Sequence, residues 1–267
     1  MPNNKIYLDM IKDALDILNS KTKKELETLL PALFTHIFND LKSGIKENPI
    51  EHHLTVLQHA LEITNFEGLT QLEIKRAAVL ALLHDIAPTK KITTQMVEEA
   101  RLSKGEAAAA ELEQLRKKYR IQHMQEGAET ARKRMEELNT ALGNEALSAE
   151  DMDIICDIIA IHDNPSNKIP ITKDNLLAVA QREADRLWMI TLLGVKADLS
   201  RKGKDAENED MIKEQVEWNK KAFTKERKIY NPDLESFVDD ITFFRTRGGH
   251  KIYTRWCEYW EDRFQTQ

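Results

Sequence analysis

Ala77-Ala78-Val79-Leu80-Ala81-Leu82-Leu83-His84-Asp85 is an apolar run that breaks off on an imidazole and a carboxylate. It closes a segment, residues 70–84, that opens on Thr70-Gln71-Leu72-Glu73. In that spacing the Thr and Glu side chains cap each other's backbone amides at a helix start. The reading is a helix that delivers two polar groups at its end. A neutral imidazole and a carboxylate side by side can each hold a metal ion, and the carboxylate can reach two ions. One His-Asp pair is common by chance. Weight comes from three other histidines and one more aspartate, which fall at helix positions that can converge on it.

Outward from this stretch the pattern stays helical. Apolar residues recur at helical spacing over 6–18, 22–41 and 51–64. Residues 94–102 and 104–119 are charged helical stretches, the second with four consecutive alanines, Ala107 to Ala110. A lid and an exposed excursion both fit them, and the charge run favours the excursion. Residues 122–138 and 148–162 follow, the latter with Ser148 as N-cap and Asp151 three residues on. Residues 163–167 read as a turn, 173–199 as one long helix and 202–210 as a polar surface loop. The last helices are expected over 211–224, 232–244 and 252–264, with Arg247-Gly248-Gly249-His250 a flexible joint between the final two. No alternating run suits a central strand and no repeat appears. The fold class is all-α.

Composition bounds the rest. A chain of 267 residues suits one large domain or two small ones. Its 31% charged and 41% hydrophobic residues are those of a soluble globular protein. Only 9 Gly and 7 Pro leave little punctuation, so long helices with short connections are expected. The net charge of −6 opposes nucleic-acid binding through the whole surface, though a local basic pocket for phosphate stays open. Cys156 and Cys257 are too few for a disulfide framework or a zinc knuckle, and Cys156 reads as a small buried hydrophobe. The first residues carry no signal-peptide run, and no segment approaches the roughly 20 apolar residues of a membrane span. A reduced, cytoplasmic protein with no membrane partner is expected. Most aromatics, Trp218 to Trp260, lie late in the chain and read as packing against the central domain. A stacking platform for a base and a homo-oligomer interface stay open.

Of the eight histidines, His36 and His250 read as surface or satisfied core residues. His84 and His162 differ, because each ends an apolar helix and precedes an aspartate. Two buried helix ends carrying imidazoles make sense if both face one polar pocket. These residues make the sequence resemble the HD-domain metal-dependent phosphohydrolases. The family's opening His-x-x-x-Val-x-x-x-Ala matches His52, Val56 and Ala60, which nominates His52 over His53. Its Leu-Leu-His-Asp-Ile appears as Leu82 to Ile86, and its Ala-Asp-Arg-Leu as Ala184 to Leu187. His123 with Gly127 and Ala128, and His162 at a helix end, resemble members that use extra histidines.

The resemblance implies an HD-domain helical bundle over 48–200, an N-terminal helical extension over 1–47 and C-terminal helices over 201–267 packing on it. It implies His52, His84, Asp85 and Asp185 on one ion, and Asp85, His123 and His162 on a second, with Asp85 as the catalytic bridge. Mixed His and carboxylate ligands suit one or two divalent transition-metal ions, Fe, Mn, Co or Ni. The implied activity is hydrolysis of a small phosphorylated substrate, a nucleotide or another phosphate ester. Two alternatives stay open, an HD-type diiron oxygenase and a non-catalytic nucleotide-binding regulatory protein. The family's Gly-Lys after His-Asp is here Ala87-Pro88, so Lys90, Lys91 and Arg186 are the candidate phosphate contacts. The Gly-Tyr-Pro of cyclic-dinucleotide phosphodiesterases is absent after His162.

Overall fold

The computed structural model describes residues 3–44, 49–87, 92, 94–143, 145–162, 175–224, 227–231, 236–240 and 244–265. The N-terminal helices are α1 (Asn3–Leu15), α2 (Ser20–Gly44), α3 (Ile50–Phe66) and α4 (Gln71–Leu83). Then come α5 (Thr94–Lys104), α6 (Glu106–Leu142), α7 (Ala149–Ile159) and α8 (Leu176–Leu187). A 3-10 turn, Trp188–Ile190, leads to α9 (Leu192–Arg201) and α10 (Glu209–Thr224). Strands β1 (Arg227–Asn231) and β2 (Ser236–Asp240) precede α11 (Arg247–Gln265). The fold is all-α with one short antiparallel ribbon.

Helices α3 and α4 form its centre. α3 packs on α4, α8, α1 and α11, while α4 also meets α2, α7 and α8. Ala77 to Leu83 are all buried, which is why the stretch has no polar face. Thr70 and Glu73 form the expected capping box: the Thr70 amide donates to Glu73 Oε2 at 2.7 Å and the Glu73 amide to Thr70 Oγ1 at 3.3 Å. Ser148 and Asp151 repeat it on α7, at 3.0 and 3.1 Å. Asp151 also accepts from Arg76 Nε at 2.7 Å, which ties α7 to α4 from within the core. Both helices are thus fixed at their starts, and their far ends are aimed at one place.

Several expectations are corrected. Residues 104–119 and 122–138 are not separate helices but one 37-residue helix, α6, because nothing between them breaks it. The expected helix 173–199 is interrupted, over its described part, at Trp188–Ile190. Thr191 there turns extended and its hydroxyl accepts from the Gly194 amide at 3.0 Å, starting α9 afresh. Gly194 is required by this break, since a Cβ would lie 1.9 Å from the Trp188 carbonyl oxygen.

The expected helix over 232–244 is, where described, the strand β2, paired with β1 in the register Ile229↔Val238 and Tyr230↔Phe237. β-branched and aromatic residues favour that pairing over a helix. Arg247 to His250 is no joint but the first turn of α11. Gly248 lets that turn reach α3, where a Cβ would stand 2.9 Å from Ile63 Cα. Trp260, fully buried, donates to the Ile190 carbonyl at 2.7 Å, whereas Trp218 stays 56% exposed instead of packing inward. No helix among the described residues is long and apolar enough to cross a membrane.

Candidate metal centre

Five elements bring their polar groups together. His52 lies in the first turn of α3, its amide donating to the Pro49 carbonyl at 2.8 Å. His84 is the C-cap of α4 and Asp85 follows it. His123 projects from α6, His162 follows α7, and Asp185 sits in the last turn of α8.

The two helix-end histidines are fixed in the same way. His84 Nδ1 donates to the Ala81 carbonyl at 2.9 Å and His162 Nδ1 to the Ile159 carbonyl at 2.7 Å. The last carbonyls of a helix lack their i+4 amide partners, and here each accepts from the imidazole three residues on, the Ile159 carbonyl also taking the His162 amide at 3.4 Å. A carbonyl only accepts, so a hydrogen is on Nδ1, and it is Nε2 that turns to the site and can offer a lone pair whenever the ring is neutral.

The Nε2 atoms of the set face Asp85 from two sides. Asp85 Oδ1 is 3.1 Å from His123 Nε2 and 3.2 Å from His162 Nε2. Asp85 Oδ2 is 3.5 Å from both His52 Nε2 and His84 Nε2. Asp185 Oδ1 closes the second set, 3.5 Å from His52 Nε2 and 3.7 Å from His84 Nε2. His52 Nε2 and His84 Nε2 are 3.1 Å apart. An ion held at ~2.1 Å by two imidazole nitrogens at right angles separates them by about 3 Å, so this spacing suits a shared cation. Within the described residues, two groups have the compactness to hold an ion: His52, His84 and Asp85, and Asp85, His123 and His162.

The electrostatics lean the same way. Burial alone would push the His84 imidazole down, but Asp85 and Asp185 outweigh it and raise its pKa to about 9. Burial opposes ionisation of Asp85, yet His84 and the bonds from His123, His162 and His52 hold its carboxyl well below the usual carboxylate range. Asp185 is likewise held low against burial, by its bond to His84 and the charges of His84, His52 and Arg186. The pocket therefore keeps two carboxylates charged and gathers positive charge between them, the condition a bound cation satisfies. The imidazoles are buried, while the Asp85 and Asp185 side chains remain 15% and 19% exposed, which leaves the centre open on its carboxylate side.

All six residues expected as ligands thus meet. Arg186 is half-buried beside them, its Nη1 4.0 Å from Met189 Sδ. Lys90, Lys91, Asp163 and the expected turn at 163–167 lie outside the described residues. His36 is elsewhere, 3.0 Å from Glu137, and His250 is exposed on α11. Sequence reasoning missed the surroundings of the set. The Trp188 ring stands edge-on to His52 at 5.3 Å, and its place right after Ala184 to Leu187 was the available signal. His53 and His59 are buried too, and burial drives His53 well down and His59 to about 4. His52, His53 and His59 Nδ1 and both amide atoms of Gln181 are buried without a hydrogen-bond partner among the described residues.

Residues 50–190 match the family model described as HD domain. No curated protein and no solved structure matches the chain.

Proposed function

Because this chain belongs to the HD-domain family, we propose that it is a metal-dependent phosphohydrolase acting on a nucleotide or another small phosphate ester. One observation carries the reading: Asp85 turns one oxygen to His123 and His162 and the other to His52 and His84, with Asp185 beside the second pair. In it, His52, His84, Asp85 and Asp185 hold one divalent ion, and Asp85, His123 and His162 hold another, each being Fe, Mn, Co or Ni. Bound there, such ions supply Lewis acidity toward a phosphoryl group and acidify a water.

The chain's own residues do the rest. The Ala81 and Ile159 carbonyls fix the tautomers of His84 and His162, so both Nε2 atoms present lone pairs. Trp188 and the buried face of α3 keep water from the back of His52. Asp85 spans both sets, and the open carboxylate side admits the anion. Arg186, whose charge already acts on Asp185, offsets part of the substrate's charge. Lys90 and Lys91 are the other candidates for that task. We assign residues 48–200 to the HD unit, 1–47 to an N-terminal extension and 201–267 to a C-terminal one, and place the protein in the cytoplasm.

The test is reconstitution. Metal-stripped protein given Mn(II) or Co(II) is screened against nucleotides and phosphate esters, with and without oxygen. Equal phosphate release in both atmospheres is expected. Turnover that requires iron and dioxygen would instead assign the diiron oxygenase of the same family, and ligand binding with no turnover in any arm the regulatory reading.

A further inference from the structure

α11 lies wholly outside residues 50–190, the stretch that matches the family model. It nevertheless packs on α3 and α8, the helices that carry His52 and Asp185. Its first turn is built around a carboxylate that α8 supplies. The Arg245 and Thr246 amides donate to Glu183 Oε1, the second at 3.1 Å, and the Thr246 hydroxyl donates to Oε2. The same hydroxyl oxygen accepts from the Gly249 amide at 2.8 Å, so Thr246 both caps α11 and ties it to Glu183. The carboxylate also meets the positive end of the helix dipole. Glu183 and Thr246 are both buried, which strengthens these bonds over the same bonds in water.

α11 is fastened to α3 as well. The Gly248 amide donates to Glu67 Oε1 at 2.8 Å, and Arg255 grips Glu62 through both Nη atoms, at 2.7 and 2.9 Å. These points lie about 15 Å or more along α3 from His52. Further along α11, Trp260 donates to the Ile190 carbonyl at 2.7 Å. Glu183 and Ile190 stand two residues before and five after Asp185. Both sides of that aspartate are therefore tied to one helix, and that helix is tied to α3.

We infer that α11 is a brace that sets Asp185 against His52, with Glu183 and Thr246 as positioning residues for the Asp185 carboxylate. The inference rests on the metal-binding reading above. Ligands work only when held within about 0.5 Å of the productive geometry. Asp185 Oδ1, 3.5 Å from His52 Nε2, spans the joint between α8 and α3, so a slide of one helix along the other moves it directly. His123 and His162 reach Asp85 from α6 and from the end of α7, which pack on each other. That slide leaves their distances to Asp85 in place.

The test uses the full chain and Mn(II) alone, with bound ion counted from the loss of the free-ion electron paramagnetic resonance signal. A His123→Ala background keeps the His52 set, and a His52→Ala background keeps the His123 set. Thr246→Val, which deletes the hydroxyl at nearly constant volume, should weaken Mn(II) roughly tenfold in the first background, the lower end of the cost of losing support behind a ligand. In the second it should change affinity by less than about twofold, as for independent sites. Thr246→Ser, which keeps the hydroxyl, should restore the binding in the first. Trp260→Phe, which removes the bond to Ile190 at the other anchor, should give the same split and serves if Thr246→Val does not fold. Leu26→Ala controls for lost stability, since Leu26 is buried on α2, a helix that carries none of the six residues. It should leave both affinities unchanged. Equal losses in the two backgrounds, no loss in either, or a Leu26→Ala loss that matches Thr246→Val overturns the inference. Wild type that binds no Mn(II) overturns the metal reading, and this inference falls with it.

Discussion

The oxygen of Asp85 that faces His123, 3.1 Å away, is not the one that faces His84. One carboxylate is therefore committed to two donor sets at once and cannot turn toward either without leaving the other.

Asp85→Ala should accordingly empty both sets, whereas His123→Ala should empty one. Elemental analysis of chelator-free preparations checks this, with circular dichroism to show that the helices persist. Loss of an outer partner alone costs roughly 10–100-fold in affinity or activity, so Asp85→Ala should lose more than that. Two ions retained by Asp85→Ala would sink the bridging assignment.

His53 is one residue off the family register, and in the structure its ring lies 5.3 Å from that of His84 and is buried. Its truncation leaves a void behind the centre without removing a donor. His53→Ala should destabilise the protein by about 2 kcal/mol in urea unfolding while keeping the wild-type metal content. His52→Ala should lose metal. Equal metal loss in both variants would move the first ligand to His53.

Glu183 gives a pH signature. It accepts from the Thr246 amide at 3.1 Å, from the Arg245 amide and from the Thr246 hydroxyl, yet burial outweighs these bonds and raises its pKa to about 7. The unfolded chain ionises it near 4.5, so the fold prefers the protonated acid. That contribution is whole below about pH 4.5 and is lost as pH rises through about 7. The stability of wild type minus that of Glu183→Gln should fall between about pH 5 and about pH 8, by on the order of 3 kcal/mol at most. A flat difference would show that the three donors, not burial, govern the group.

Gly249 is expected to tolerate no side chain. A Cβ there would lie 2.1 Å from Glu183 Oε2 and 2.9 Å from Thr246 Oγ1. Gly249→Ala should destabilise by about 1–3 kcal/mol through overpacking, measured by thermal unfolding. A second change, Glu183→Ala, should recover part of the loss, and independent effects would refute the clash.

What the sequence disclosed follows from how local each cause is. The starts of α4 and α7 were legible because Thr70 with Glu73, and Ser148 with Asp151, act over three residues. The six converging residues were legible because most lie at or near helix ends, in a familiar order. The break at Thr191 was written as a hydroxyl three residues before Gly194, a weak signal inside an apolar run. Gly248 and Gly249 read as a joint because their partners, Ile63 and Glu183, are remote in sequence. The β1–β2 pairing is also non-local, and a five-residue strand has little periodicity to show. The Gln181 amide, without a partner among the described residues, has no sequence signature at all.

The unbroken course of α6 makes His123 a fulcrum. About 25 Å of rigid rod separates it from Glu106 at the far tip, so a push on the tip arrives at the imidazole as a tilt. His52, His84 and Asp185 sit on α3, α4 and α8, which pack on one another, and feel no such leverage. Of the two groups of donors, the one that includes His123 is thus the one joined by a single helix to that tip.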